Sequence, residues 1–118
     1  MTTSTEELVE KVRSCLTPDL LRPDVQQGQH PMQGHCYVAS EAIYHILGGS
    51  SSGLKPTRMR FGTDVHWWLV DSDGNVVDAT FDQFNEPVPY EQGRAGGFLT
   101  REPSKRAKVL IERVHALD

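Results

Sequence analysis

The sequence predicts an α+β fold in which helices at both ends of the chain flank a short antiparallel sheet. Two observations carry this prediction: apolar residues recur at helical spacing in three separate segments, and two short apolar runs joined by a turn lie between the second and third of these. A chain of 118 residues can bury one hydrophobic core. We therefore expect residues 1–118 to form a single domain.

The first helix is predicted from Thr5 to Leu16. Ser4 and Glu7 have the spacing of a capping box, and apolar residues follow on one side, with Cys15 on the buried stripe. Because threonine can cap a helix and proline is tolerated at its first position, Thr17-Pro18 predicts a further short turn of helix that reaches Leu21.

Two further helices are predicted in the middle and at the end of the chain. The middle helix runs from Cys36 to Leu47, where Gly48-Gly49 stops it, and the last runs from Pro103 to Leu117. Their apolar stripes are Ala39, Ala42, Ile43, Ile46 and Leu47 in the first, and Ala107, Leu110, Ile111, Val114 and Leu117 in the second. Both stripes predict a face docked on the core.

Two segments show neither helical nor strand periodicity. Residues 22–34 are rich in Gln, Pro and Gly and form a long loop for a compact domain, a length typical of loops that serve a site or are disordered. Residues 81–100 hold three Gly and two Pro and predict an irregular segment over the sheet.

The sheet is predicted from a strand at residues 57–61 and a hairpin within residues 66–80. A two-residue turn at Asp73-Gly74 would point Asp78 away from His66. The flanking residues favour a three-residue loop in which Asp71 pairs with Asn75 and Gly74 takes the left-handed conformation.

That three-residue loop sets Trp68 opposite Asp78 and His66 opposite Thr80. His66 and Asp78 then become diagonal neighbours on one face of the sheet, while Trp67 points to the other face. The turn chemistry therefore predicts that an imidazole and a carboxylate lie within reach of each other.

Composition restricts the classes of partner and compartment. The net charge of -4 lacks the basic character typical of nucleic-acid-binding domains, and the basic residues around the last helix favour a solvated face over the alternative of a nucleic-acid surface. These residues are Arg101, Lys105, Arg106, Lys108 and Arg113, interrupted by Glu102 and Glu112. With no apolar run long enough to span a bilayer and no signal-peptide core, we expect a soluble, cytoplasmic protein without membrane contact.

The two cysteines lack a CxxC spacing and a secretory context, so both are expected as free thiols. A thiolate is stabilised at a helix N-terminus, a condition that Cys36 meets and Cys15, near the end of its helix, does not. A thiolate nucleophile also needs a base and a group that orients the base. Cys36, His66 and Asp78 supply these roles in chain order, and no cofactor is required.

Three short motifs resemble those of transglutaminase-like proteins. Gly34-His35-Cys36-Tyr37-Val38 resembles their Gly-x-Cys-aromatic motif, His66-Trp67-Trp68 their His-Ala-Trp strand, and Asp78-Ala79-Thr80 their Asp-Pro-Thr. Residues 58–62 are also similar to the Arg-containing strand and Gly that precede the family's histidine. The resemblance covers residues 34–80 and departs from the family pattern at Ala79, which replaces a proline.

The resemblance implies a papain-like/transglutaminase-like core, with the nucleophile helix packed on the sheet and Cys-His-Asp chemistry on a carboxamide or ester. Water as acceptor would give an amidase, deamidase or protease, and an amine would give an acyltransferase. A protein, a peptide or a small amide would be the substrate.

Residues for the oxyanion hole and for substrate contact are assigned less directly. Gln33 lies three residues before Cys36 and is a candidate side-chain donor to the oxyanion, beside Gln29 and Gln27. The backbone N–H of Cys36 is the preferred oxyanion donor. Tyr37 and Trp68 are further candidates for substrate contact. Trp67 and Trp68 also fit the core and the wall of the site.

Other interpretations remain open at this point. A free cysteine is commonly a small buried hydrophobe, and the chain would then be a non-catalytic binding or inhibitory protein that keeps the fold. A zinc-binding domain is a third interpretation, for which the sequence supplies His30, His35, Cys36, His66 and Asp78.

Overall fold

The elements of the fold come from a computed structural model, which describes residues 5–17, 35–61, 64–80, 88–96 and 102–117. Within these residues, three α-helices accompany four strands. The elements are α1 (Thr5–Ser14), α2 (Cys36–Ile46), β1 (Lys55–Phe61), β2 (Asp64–Val70), β3 (Val76–Val77), β4 (Arg94–Ala95) and α3 (Lys105–His115), with short 3₁₀ turns at Gly49–Ser51 and Tyr90–Gln92.

The four strands form one antiparallel sheet in the order β3-β2-β1-β4. The β1 and β2 strands pair along their full length, with Arg58 opposite Trp67, whereas β3 and β4 each add only two residues at the two edges. Leu69 pairs with Val77, so both side chains point to the same face.

The hydrophobic core lies between that face of the sheet and the helices. The α2 helix packs on β2, and α1 and α3 pack on α2. The core contains Leu8, Val12, Val38, Ala39, Ala42, Ile43, Leu69, Val77, Ala79, Ala107, Leu110 and Val114. The predicted α+β class is confirmed, with a helix packed on a short antiparallel sheet and further helices towards both ends.

Several element boundaries differ from those predicted. The α1 helix ends at Ser14, and Cys15 is partly buried against the core as expected. The α3 helix begins at Lys105, because the Ser104 hydroxyl caps it by accepting the backbone N–H of Ala107 at 3.2 Å. Apart from Thr17 and the range 88–96, the predicted turn at 17–21, the loop at 22–34 and the segment at 81–100 lie outside the described residues.

Two predictions about the sheet are wrong. The segment predicted as irregular contains β4, which pairs Thr57 with Ala95; two residues are too few to show an alternating pattern. The second hairpin strand ends at Val77, so Thr80 lies in a turn and does not pair with His66 in the ladder. The Asp78 side chain bonds to the backbone N–H of Thr80, and this local bond replaces ladder pairing there.

Among the described residues, no helix has both the length and the apolar character needed to cross a bilayer.

A buried carboxylate joins α2 to α3. Glu41 is 0% exposed, and its two oxygens accept the backbone N–H of Ser104 at 2.7 Å and the Ser104 hydroxyl at 2.8 Å. The negative charge lies at the N-terminus of α3, where the helix dipole stabilises it. Glu41 therefore fixes where the C-terminal helix starts relative to the helix that carries Cys36.

We expect Glu41→Ala to lower the free energy of unfolding by about 2–4 kcal/mol, because it leaves the partly buried Ser104 donors without their acceptor. Glu10→Ala, which removes an exposed carboxylate from α1, should change the value by less than about 0.5 kcal/mol. Urea denaturation of the two variants measures the difference. Equal stabilities would show that the contact with Ser104 does not hold the helices together.

Candidate active site

The site depends on the turn that joins β2 to β3. The N–H of Asp71 donates to the carbonyl of Asn75 at 2.9 Å, the N–H of Gly74 donates to the carbonyl of Asp71 at 3.0 Å, and Gly74 has φ +86°. This is the three-residue loop predicted from the sequence, and the pairing of Val70 with Val76 confirms its register. The hydrogen bond from the backbone N–H of Asn75 is the main cause that lowers the pKa of Asp71.

The register brings His66 and Asp78 together as predicted. His66 Nε2 lies 2.7 Å from Asp78 Oδ2, and the two side chains are 0% and 3% exposed. The His66 side chain comes from the middle of β2, and Asp78 directly follows the end of β3. A buried imidazole thus has a carboxylate that can orient it and stabilise its cation.

The Asp78 carboxylate is itself fixed by further donors. The Tyr90 hydroxyl donates to Oδ2 at 2.8 Å, and the backbone N–H of Thr80 donates to Oδ1 at 3.1 Å. Burial, together with the negative charge of Asp78, raises the pKa of the Tyr90 phenol above its ordinary value. Tyr90 therefore stays a neutral donor that holds the carboxylate towards the imidazole.

Sequence reasoning missed Tyr90. It belongs to the short 3₁₀ turn Tyr90–Gln92 in a segment without periodicity, where no motif or spacing marks it.

Cys36 is the first residue of α2 and lies next to the imidazole. Its thiol is buried, with a 7% exposed fraction, and Sγ is 3.6 Å from the carbonyl oxygen of Val65, the residue before His66. Burial lowers the pKa of His66, but the hydrogen bond with Asp78, the neighbouring Cys36 side chain and the charges of both groups outweigh it and raise the pKa to about 9. The structure thus brings Cys36, His66 and Asp78 into one connected group.

The roles of the two imidazole nitrogens follow from these contacts. Asp78 engages Nε2, so Nδ1 is the nitrogen that can exchange a proton with the Cys36 sulfur. With a pKa of about 9, His66 is a cation at neutral pH. A nearby cation and a helix N-terminus both stabilise negative charge in general.

The two tryptophans lie on opposite faces of the sheet. Trp68 is 0% exposed and packs behind the imidazole, with ring centroids 5.5 Å from His66 and 5.1 Å from Tyr90. Trp67 meets Tyr37 edge-to-face at 4.9 Å on the other face. These are the core and wall positions expected from the sequence; substrate contact by Tyr37 or Trp68 stays a prediction.

Gly93 packs directly against Trp68, which forms a wall of the site. A Cβ built on Gly93 would lie 2.6 Å from Trp68 Cη2 and 2.8 Å from Thr57 Cγ2, so any side chain there would displace the indole. No local pattern in the sequence indicates this contact, because it joins segments that are distant along the chain.

The remaining candidates are placed only in part. Gln27, Gln29, Gln33 and His30 lie outside the described residues. His35 is fully buried and its Nε2 is 2.9 Å from the carbonyl oxygen of Thr17. Across the described ranges, no group of three or more His, Cys, Asp or Glu side chains has the arrangement needed to hold a metal ion.

The chain matches a known protein family over most of its length. The model of a family described as YunG protein matches residues 4–117. The chain belongs to the YunG family. No curated protein and no solved structure matches it. Since the description of the YunG family names no activity, the side chains around Cys36 are the basis for assigning one.

We expect Gly93→Ala to lower the free energy of unfolding by about 1–3 kcal/mol, because the added methyl group forces Trp68 out of its position behind His66. Gly96→Ala is the matched control, since its Cβ would meet only the flexible end of Arg58 at 3.1 Å. Urea denaturation followed by tryptophan fluorescence compares the two variants. A Gly93→Ala protein as stable as Gly96→Ala would contradict the close packing of Trp68 on Gly93.

Proposed function

We propose that this YunG protein is a cysteine-dependent acyl-transfer enzyme that acts on a carboxamide or ester. The observation that carries the proposal is the connected group of Cys36, His66 and Asp78 at the start of α2 and the edge of the sheet. Such a group contains a nucleophile, a proton carrier and an orienting carboxylate, which are the parts required for acyl transfer through a thioester.

The first half-reaction forms the thioester. The Cys36 thiolate attacks the carbonyl carbon, a C–S bond forms, and the carbonyl π electrons move to the oxygen. The backbone N–H of Cys36, in the first turn of α2 where the helix ladder does not use it, stabilises that oxyanion. His66 gives its Nδ1 proton to the leaving amine or alkoxide as the C–N or C–O bond breaks.

The second half-reaction releases the acyl group. Water or an amine attacks the thioester carbonyl and gives a proton to His66 Nδ1, and the C–S bond breaks to restore the thiolate. Water as acceptor makes the protein an amidase, deamidase or protease, and an amine makes it an acyltransferase. A protein, a peptide or a small amide is the proposed substrate.

Asp78 keeps the imidazole in position through this cycle. Its bond to Nε2 fixes the ring and stabilises the imidazolium that both half-reactions need. Tyr90 and Thr80 act through Asp78, since each donates to the carboxylate. We assign Tyr90 as a positioning residue, because its hydroxyl is directed at Asp78.

The sequence motifs and the packing give independent support for a transglutaminase-like, papain-like core. The resemblance implies a helix that begins at the nucleophile and packs on an antiparallel sheet carrying the histidine and the aspartate. The contacts of α2 with β2 and the hydrogen bond between His66 and Asp78 agree with that arrangement.

A cytoplasmic location suits this chemistry. Both cysteines are free thiols, and the reducing cytoplasm keeps a nucleophilic thiol in the active form.

A non-catalytic binding protein on the same fold is the second candidate. The 7% exposure of Cys36 favours it, because an inert free cysteine is typically buried as a small hydrophobe. The two candidates differ in what they require of the sulfur: only the enzyme needs an activated thiolate that a reagent can reach.

Alkylation of Cys36 by iodoacetamide across pH, measured by peptide mass spectrometry, separates the two. We expect Cys36 to react faster than Cys15 below about pH 8, where an ordinary thiol is mostly protonated. His66→Ala should remove this advantage, because the imidazolium that favours the thiolate is gone.

His115→Ala is the matched control, since it removes an exposed histidine from α3 and should leave the Cys36 rate unchanged. A Cys36 that follows the profile of Cys15, or that does not react, would overturn the enzymatic function and leave the binding protein.

A further inference from the structure

Three arginines share one face of the sheet, on the strands β1 and β4. Arg58 and Arg94 are opposed across β1 and β4, and Arg60 follows two residues after Arg58 on the same face. Arg60 is in turn opposite Val65 of β2. All three arginine side chains are exposed.

This arrangement is unfavourable for the protein alone. Like charges directly opposed on neighbouring strands destabilise a sheet. The chain as a whole has a net charge of -4, yet among the described residues no carboxylate forms an ion pair with Arg58, Arg60 or Arg94. A bound anion would relieve the repulsion between the guanidinium groups.

The arginines line a pocket of about 350 Å³ on this face of the sheet. Its lining residues are Arg58, Met59, Arg60, Val65, Gln92 and Arg94. Val65 connects the pocket with the thiol, because it lines the pocket and its carbonyl oxygen lies 3.6 Å from Cys36 Sγ. The pocket and the proposed nucleophile therefore share a contact residue.

One of the three guanidinium groups contacts an indole that also contacts α2. Arg58 Cζ lies 5.3 Å from the centroid of the Trp67 ring, a cation–π contact. Trp67 in turn meets Tyr37, the residue after Cys36, edge-to-face. Arg58 and the helix that begins at Cys36 therefore contact the same side chain.

We propose that the pocket binds an anionic oxygen group of the acyl substrate, a carboxylate or a phosphate, and so places the reactive carbonyl at Cys36. Guanidinium groups suit these anions because their planar donors match two oxygens at once. The assignment rests on the proposed function of Cys36 and narrows its substrates to negatively charged amides or esters.

Two alkylating reagents of similar size test this selectivity. Iodoacetate carries a carboxylate and iodoacetamide does not, so the ratio of their rates at Cys36 reports attraction of an anion to the pocket. Replacing two arginines, in an Arg58→Gln/Arg94→Gln variant, should lower that ratio by about tenfold. Raising the salt concentration should lower the wild-type ratio as well.

The matched control is Lys105→Gln/Lys108→Gln, which removes the same charge from exposed positions of α3. It should leave the ratio at its wild-type value. His66 is unchanged in every variant, so its own positive charge contributes equally to all the ratios. If Cys36 reacts readily with iodoacetamide but the arginine variant keeps the wild-type ratio, the proposal that the pocket binds an anion is contradicted. The proposal that Cys36 is a nucleophile is not affected by that result.

If the thiol reacts with neither reagent, anion binding to a Cys36→Ser variant tests the proposed anion site instead. Arginine side-chain NMR signals would be titrated with succinate, with inorganic phosphate and with the neutral succinamide. We expect saturable shifts of the Arg58, Arg60 and Arg94 signals with an anion and none with succinamide, and the anion that saturates identifies carboxylate or phosphate. Absence of saturable shifts with both anions would overturn the site.

Discussion

The register of the hairpin between β2 and β3 is the constraint on which the rest of the site depends. A slip of one residue would turn Asp78 to the opposite face of the sheet, away from His66. The Asp71 carboxylate prevents this by accepting the backbone N–H groups of Asp73 and Asn75 at 2.9 and 2.8 Å, while Gly74 supplies the left-handed conformation. An exposed turn thus determines the chemistry of a buried pair.

Burying an imidazolium and a carboxylate is unfavourable unless the two charges are paired and hydrogen-bonded. Asp78 meets this condition through His66, Tyr90 and Thr80. Its segment is also tied to α1, because Arg13 donates to the carbonyl of Ala79 at 2.7 Å. The N-terminal helix therefore supports the site without contributing a side chain to the chemistry.

Local interactions explain which features the sequence could predict. Helical periodicity and turn chemistry operate over a few residues, so α2, the turn at Gly74 and the proximity of His66 to Asp78 could all be predicted from short segments. Tyr90 and Gly93 act across the fold from a segment with no period, and their contacts with Asp78 and Trp68 leave no local signal. The arginine pocket likewise depends on the pairing of β1 with β4, a strand too short to recognise.

The central claim is that Cys36, His66 and Asp78 form one coupled group, and an NMR titration of the His66 imidazole tests it most directly. The contacts predict that His66 keeps its proton up to about pH 9, because Asp78 and Cys36 together outweigh the effect of burial. Asp78→Asn and Cys36→Ser should each lower the pKa, since each removes one of these contributions. A wild-type His66 that titrates at its ordinary 6.5, unchanged in both variants, would contradict the coupling.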